Sequence, residues 1–364
     1  MNPENDWHAR SQRVAIAALA QFPERIDVRS PAEFALDHIP GAINAPVLDD
    51  TERAQVGTLY AASPFEARRL GAAIVTRRIG VMLETQFADR PRDWKPLVYC
   101  WRGGQRSRAL AHILNEVGWR AMQLDGGYRS WRRHVAAQLV TRPPDFDFVV
   151  ICGLTGSGKS RLLAALSAAG AQTLDLEGLA QHRGSLLGGW PDAPQPSQKA
   201  FESNLYCALE RLDSTRPVFV ESESRRVGVL QLPDALLAGM RSGRALTLST
   251  RLAQRVALLK EEYGHFITAA AELDDRLSPL APLHGKTTLA HWSSLAKAGA
   301  WDALVGELLE RHYDPAYTRS LAANFPTAGH GMAIDVQDAS CAGFDALARD
   351  VRTRIEAKAD VTRT

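Results

Sequence analysis

Two short stretches carry residues able to do chemistry. In the first, residues 98–107 (VYCWRGGQRS), an apolar run ends on Cys100 and is followed by two glycines and two arginines. The thiolate is the reactive form of cysteine, and backbone N–H groups at a helix start, helped by nearby arginines, favour it. Cys100 is therefore a candidate nucleophile facing an oxyanion site, with Arg102 and Arg106 as further charges. The alternative is a buried structural cysteine, but a strand followed by such a loop predicts a thiol projected outward.

The second stretch, residues 153–160 (GLTGSGKS), fits the pattern G-x-x-x-x-G-K-[ST]. Gly153, Thr155, Gly156, Ser157 and Gly158 would turn successive backbone N–H groups toward one anion. Lys159, expected to face solvent, adds a positive charge, Ser160 can hold a magnesium ion, and the following helix contributes its dipole. A di- or triphosphate is the expected ligand. An acid on a later strand ordinarily completes the magnesium site, and residues 218–224 (VFVESES) offer Glu221 and Glu223 in place of an aspartate. Ordinary ATP hydrolysis is therefore not expected.

Positioning these residues requires two α/β domains. Residues 25–30 (RIDVRS) and 95–100 (KPLVYC) read as buried parallel strands, each stopping where a loop of interest begins. Residues 64–84 have apolar positions near helical period and two Arg-Arg pairs, which predicts a helix with an exposed face. Residues 141–147 (TRPPDFD) bring two prolines and charge, as linkers do. Beyond them FDFVVIC, QTLDLEG, PVFVESES and RALTLST predict strands separated by helical segments, hence a parallel sheet with ligands at the carboxyl ends of its strands. The expected organisation is a domain over 1–140, a linker over 141–147, and a P-loop domain over 148–364 with a helical C-terminal extension.

Composition narrows the class. The chain has 364 residues, 45% hydrophobic and 23% charged, enough for two ordinary cores. Its apolar runs fall far short of the ~20 residues a bilayer needs, so no membrane span is expected. Residues 14–20 (VAIAALA) follow Glu4, Asn5 and Asp6 and read as a helical turn of a cytoplasmic protein rather than a leader. Four cysteines without C-x-x-C or Cys/His spacing exclude a disulfide framework and a structural zinc, and no metal site built from protein ligands alone is expected. The net charge is only +2, yet of 43 cationic side chains 36 are arginine and seven lysine. Arginine suits phosphate bidentately, although arginine-rich codon usage gives the same bias. Arg129, Arg132 and Arg133 form a cluster that could meet RNA. His38, His182 and His265 stand as lone histidines, of which His182, in HRGS, is the best placed for a role.

Residues 26–46 (IDVRSPAEFALDHIPGAINAP) and 124–131 (LDGGYRSW) resemble the signatures of rhodanese-like domains. That resemblance makes Cys100 the residue that carries sulfur or selenium. The loop has the spacing C-x-x-x-x-x-R, one residue longer than in common sulfurtransferases and shared with rhodanese-like phosphatases, a wider cradle suited to a tetrahedral oxyanion. A rhodanese domain fused to a P-loop domain resembles the bacterial tRNA 2-selenouridine synthase family. The likeness also runs through residues 52–60 (ERAQVGTLY), 175–188 (DLEGLAQHRGSLLG), 221–228 (ESESRRVG) and 313–317 (YDPAY).

The family implies tRNA as partner, and geranyl diphosphate and selenophosphate as substrates, with no tightly bound cofactor; the P-loop leaves room for magnesium. Wobble 2-thiouridine is first geranylated on sulfur, then the S-geranyl group is replaced by selenium. Two other readings stand beside this one. Arg251 and Arg255, on the helix after RALTLST, resemble the late part of nucleotide kinases and suggest a P-loop small-molecule kinase with a rhodanese regulatory domain. A tRNA-binding protein with an inactive rhodanese fold is the other.

Overall fold

The computed structural model describes residues 13–190, 193–268, 270–329 and 331–361. They form two compact units, one comprising the residues through Gln138 with Ser197–Cys207, the other Leu139–Pro196 with the residues from Ala208 onward.

The first unit is built on five short strands, β1 (Arg13–Val14), β2 (Arg25–Asp27), β3 (Ala42–Asn44), β4 (Leu97–Tyr99) and β5 (Met122–Leu124). Their order is β1-β5-β4-β2-β3 and every pairing is parallel. Parallel neighbours need crossovers, and helices supply most of them. Asp27 lies in register with Tyr99 and Asn44, so the loops after β2 and β4 leave the sheet side by side. The expected helix forms over Pro64–Glu84 and buries Ala67, Gly71, Ile74, Ile79 and Met82 along one face. The core combines these with Ile26, Val28, Val98, Leu110 and Leu114.

The Asp-Val-Arg stretch is structural. Arg29, 1% exposed, donates to both carboxylate oxygens of Asp27 and to the Asp37 carbonyl, and its guanidinium lies 3.8 Å from the Tyr128 ring centroid. A buried ion pair persists only when its hydrogen-bonding capacity is used, as it is here. The Asp37 carboxylate in turn accepts from Tyr128 Oη at 2.7 Å and Ser203 Oγ at 3.2 Å, and Trp131 Nε1 donates to the same Ser203. Ser203 sits in the Ser197–Cys207 segment, which these bonds fasten to the first unit.

The second unit carries β6 (Phe148–Gly153), β7 (Gln172–Leu174), β8 (Val218–Glu221), β11 (Arg244–Ser249) and β12 (Met332–Asp335) in a parallel sheet of order β12-β11-β6-β8-β7. A small antiparallel pair, β9 (Arg226–Val227) and β10 (Leu230–Gln231), stands apart. β6 is central and buried throughout. The region expected as a helical extension does contain helices, around a core of Phe266, Leu273, Trp292, Leu304 and Leu308, but its end returns to the sheet as β12. The closing helix Cys341–Val361 then places Phe344 against the P-loop. Among the described residues no helix is long and apolar enough to cross a membrane.

Candidate functional site

β6 delivers its chain end into the loop before helix Lys159–Ala168. Gly158 has φ +86°, and a Cβ there would lie 2.2 Å from Phe344 Cζ, so only glycine fits. Two bonds from other elements fix the loop. Thr250 Oγ1 donates to the Ser157 carbonyl at 2.9 Å, and Arg255 Nε donates to the Thr155 carbonyl at 2.8 Å. Arg255 is 4% exposed and paired with Asp314 at 2.5 Å. It braces the loop from behind, and so does not supply the phosphate-facing arginine on which the kinase comparison leans.

Lys159 does not stand out in solvent as expected. It is half-buried, with Nζ donating to the Gly153 carbonyl at 3.1 Å and lying 4.9 Å from the Tyr317 ring centroid. Burial acts to lower its pKa, but Tyr317, Glu221, Glu177 and Glu223 outweigh burial and raise it, so the ammonium is kept charged. Residues 313–317 (YDPAY) thus contribute twice, Asp314 to the brace and Tyr317 beside the lysine. Tyr317 is itself held by Ser222 at 2.8 Å.

The loop opens on a cavity of about 450 Å³ whose walls include Lys159, Ser160, Glu177, Arg183, Glu221 and Glu223. In the HRGS stretch it is Arg183 that faces the cavity. Its guanidinium lies 5.1 Å from the Tyr263 ring centroid, and Nη1 is buried with no hydrogen-bond partner among the described residues. His182 accepts from the Gly184 N–H at 3.1 Å, and its pKa is lowered by burial and then by Arg183, so it shapes the loop as a neutral ring. A smaller apolar pocket of about 70 Å³ shares Thr155, Leu259 and Tyr263 with this cavity and extends to Phe266, Trp301 and Leu304.

Glu221 and Glu223, expected from sequence, are joined by Glu177, and oxygens of the three lie within 4.8 Å of one another. The residues therefore go beyond the expectation of no protein-built metal site. Glu221 is 2% exposed and neither of its carboxylate oxygens has a hydrogen-bond partner among the described residues. An orphaned buried carboxylate beside two others fits a hard divalent cation such as magnesium. Burial, then repulsion from Glu177, pushes Glu221 well above the ordinary carboxyl range and Glu223 up to about 8.

A stability test follows from the sign of these shifts. Groups whose pKa rises on folding favour the folded state when protonated. Their contribution is complete below the ordinary 4.5 and is lost as pH rises through about 8. In chelator, the melting temperature should fall by several degrees between about pH 6 and about pH 9, and magnesium should restore it at the upper pH only. An equal fall in the Glu221→Gln/Glu223→Gln variant would place the pH dependence elsewhere.

In the first unit Cys100 closes β4, and helix Gln105–Val117 follows. The thiol does not project outward. It is 3% exposed, and Sγ accepts from the Gly104 N–H at 3.3 Å and from Ser107 Oγ at 3.2 Å. Gln123 Nε2 donates to Ser107 Oγ at 2.8 Å and to the Gly104 carbonyl at 3.0 Å, which orients the hydroxyl toward sulfur. Two donors from the loop and the first helical turn thus converge on the sulfur. Neither Ser107 nor Gln123 was expected from sequence, although a hydroxyl in the first turn after the loop is a readable signal.

The LDGGYRSW stretch seats the loop. Gly127 has φ +56°, and a Cβ there would lie 2.2 Å from the Cys100 carbonyl oxygen. The N–H groups of Tyr128 and Arg129 donate to the carbonyls of Cys100 and Trp101.

The remaining sequence candidates sort by partner. Arg106 bonds Glu33 at 3.0 Å, while Arg102 is exposed with no partner among the described residues. Arg132 is held by Glu202, by Asp37 at 3.5 Å and by Ser203 at 3.0 Å, so it serves the unit's own network. Arg129 and Arg133 are exposed and without such partners among the described residues. His38 stacks on Phe34 at 3.8 Å and bonds its carbonyl. The His265 side chain lies outside the described residues.

Residues 15–134 match the family model of the rhodanese-like domain, and residues 146–278 that of the tRNA 2-selenouridine synthase AAA domain. Over 246 residues the chain is 38% identical to a tRNA 2-selenouridine synthase of Nitrosomonas europaea, a match covering 65% of this chain and 63% of that one. It is 35% identical over 261 residues to the enzyme of that name from Marinobacter nauticus, covering 69% and 68%. With that of Cupriavidus pinatubonensis it is 35% identical over 268 residues, covering 72% and 71%. The match thus spans just under two thirds of the Nitrosomonas protein and rather more of the other two. A rhodanese-like domain with its cysteine loop intact, followed by a P-loop domain of this kind, is the organisation the chain shows, and with these relatives it places the chain in the tRNA 2-selenouridine synthase family.

Proposed function

We propose that this chain is an enzyme that converts 2-thiouridine at the tRNA wobble position to 2-selenouridine through an S-geranyl intermediate. The observation that carries the reading is the phosphate cavity sharing a wall with an apolar pocket. A diphosphate would lie over the P-loop amides, with Lys159 and Arg183 as its cations, and an isoprenoid tail would enter among Phe266, Trp301 and Leu304. A nucleotide's polar base and ribose would gain little from such a pocket.

In the first step the thiocarbonyl sulfur forms a bond to the allylic carbon as the carbon–oxygen bond to diphosphate breaks. Donors preorganised on the departing charge lower that barrier. Glu177, Glu221 and Glu223 would hold a magnesium ion, which supplies positive charge to the diphosphate.

The second step belongs to Cys100. Selenium in selenophosphate is already at the selenide level, so thiolate attack at phosphorus breaks the P–Se bond and frees selenide with no change of oxidation state. Selenide then displaces geranylthiolate from the base, and water clears phosphate from Cys100. Ser107 and the Gly104 N–H, bonded to Sγ, stabilise the thiolate both before attack and as it leaves. The test is incubation of the purified protein with 2-thiouridine tRNA, geranyl diphosphate and selenophosphate, then mass analysis of the nucleosides. The reading expects S-geranyl-2-thiouridine and then 2-selenouridine, whereas ATP turnover without tRNA and no new nucleoside would favour the kinase.

A further inference from the structure

One large cavity belongs neither to the P-loop nor to the thiol cradle. It is a groove of about 1370 Å³ in the first unit, walled by helices Asp50–Ala62, Pro64–Glu84 and Gln105–Val117. Five arginines line it, Arg13, Arg53, Arg68, Arg106 and Arg108, against one acid, Glu116. Glu33 engages two of them, at 3.0 Å from Arg106 and 3.7 Å from Arg53, and Asp125 lies 3.6 Å from Arg13. Arg68 and Arg108 have no acidic partner among the described residues, and both are exposed. The floor is of another character, with Leu48, Val56, Ala67 and Val75. Between rim and floor stands Tyr60, 49% exposed, with the Arg68 guanidinium 6.0 Å from its ring centroid. At its inner end the groove is lined by Gln123, whose amide donates to Ser107, which donates to Cys100 Sγ.

From this juxtaposition we infer that the groove binds a single RNA strand, its phosphates on Arg68 and Arg108 and an unstacked base against Tyr60 and the apolar floor. The inference rests on the tRNA reading above and assigns a place to it. Arginine forks match phosphate oxygens, and an aromatic face takes a base of any identity. A duplex would meet the arginines but leave the apolar floor uncovered, whereas the unpaired bases of an anticodon loop can be splayed into it. An acidic peptide would satisfy the rim and give the half-exposed ring no partner. Delivery of the base beside Gln123 would bring it to the hydrogen-bond relay that ends on the reactive sulfur.

The test is fluorescence anisotropy of a labelled anticodon stem-loop RNA titrated with the full chain over a series of salt concentrations. Arg68→Ala and Arg108→Ala should each weaken binding for every sequence and each reduce the salt slope by about 1. Tyr60→Ala should weaken binding roughly 5- to 100-fold, the range expected for one stacked base, and Tyr60→Phe should retain it. All three positions are exposed, and melting curves confirm the fold of each variant. Wild-type affinity and slope in all of them would overturn the inference. So would losses confined to Arg129→Ala and Arg133→Ala, which would place the RNA on helix Gly127–Thr141 instead. An acidic peptide that displaces the RNA only from wild-type protein and binds as tightly would also overturn it. If the wild-type chain bound no RNA at all, the tRNA reading itself would fall.

Discussion

Lys159→Ala is expected to abolish geranyl diphosphate binding measurable by calorimetry and to lower S-geranylation of 2-thiouridine tRNA by on the order of 10²–10³-fold or more. That is the range seen when one preorganised donor is removed from a developing anion. Nζ rests on the Gly153 and Leu154 carbonyls at 3.1 and 3.4 Å, so it is already in the loop before any anion arrives. Tyr317, Glu221, Glu177 and Glu223 all act to hold it charged, so it balances three carboxyl groups at once. The variant therefore loses more than a phosphate ligand. Without the ammonium, the carboxyl groups lose their principal counter-charge and stay protonated to higher pH, so magnesium should bind more weakly than to the wild type. Lys159→Arg keeps the charge but brings a planar fork where a point charge sits, and it should recover only a small part of the activity. Undiminished diphosphate affinity in Lys159→Ala would remove the P-loop from the mechanism.

What could be read from sequence follows from how local each feature is. The phosphate loop was legible because its pattern is contiguous and its glycines are demanded by local backbone geometry; Gly158 at φ +86° needs no knowledge of the partner element. β4 and the Cys100 loop were legible for the same reason, as an apolar run broken by two glycines. Residues brought in from a distance were not. Glu177 is 44 residues before Glu221 and enters the site because β7 and β8 are neighbours in the parallel sheet. Arg255 and Asp314 meet across 59 residues to brace the loop, and nothing in either segment alone announces a pair.

Lys159 is expected to face solvent as a loop residue and Cys100 to be projected outward by its strand and loop, yet both loops curl back and supply hydrogen-bond partners to Nζ and Sγ. The Ser197–Cys207 segment shows another limit. Its sequence reads as an ordinary helix of the second half, while Ser203, through Asp37 and Trp131, ties it to the first unit. A single hydroxyl at the right turn of a helix decides that, and hydrophobic periodicity does not register it.

Cys100→Ser should separate the two reactions. The exchange keeps the size of the side chain, and a hydroxyl can still accept from Gly104 N–H and Ser107, so the cradle should fold unchanged. What is lost is a soft sulfur nucleophile, replaced by an alcohol with almost no alkoxide at neutral pH. The proposed P-loop chemistry would draw on Lys159, Arg183 and the carboxylates, and no atom of the Cys100 loop lines that cavity. Incubated with 2-thiouridine tRNA, geranyl diphosphate and selenophosphate, the variant should therefore accumulate S-geranyl-2-thiouridine at wild-type rate, with selenouridine lowered by on the order of 10³-fold or more, comparable to loss of a nucleophile elsewhere. Ser107→Ala should give a different signature. It removes a donor from the leaving sulfur, so hydrolysis of phosphocysteine slows and phosphate should build up on Cys100, detectable by ³¹P resonance with no selenium on the peptide. Selenium bound to Cys100 without phosphorus would show that the thiolate attacks selenium. Selenouridine at full yield from Cys100→Ser would show that Cys100 is not the nucleophile at all, and loss of geranylation as well would show that the two sites do not work independently.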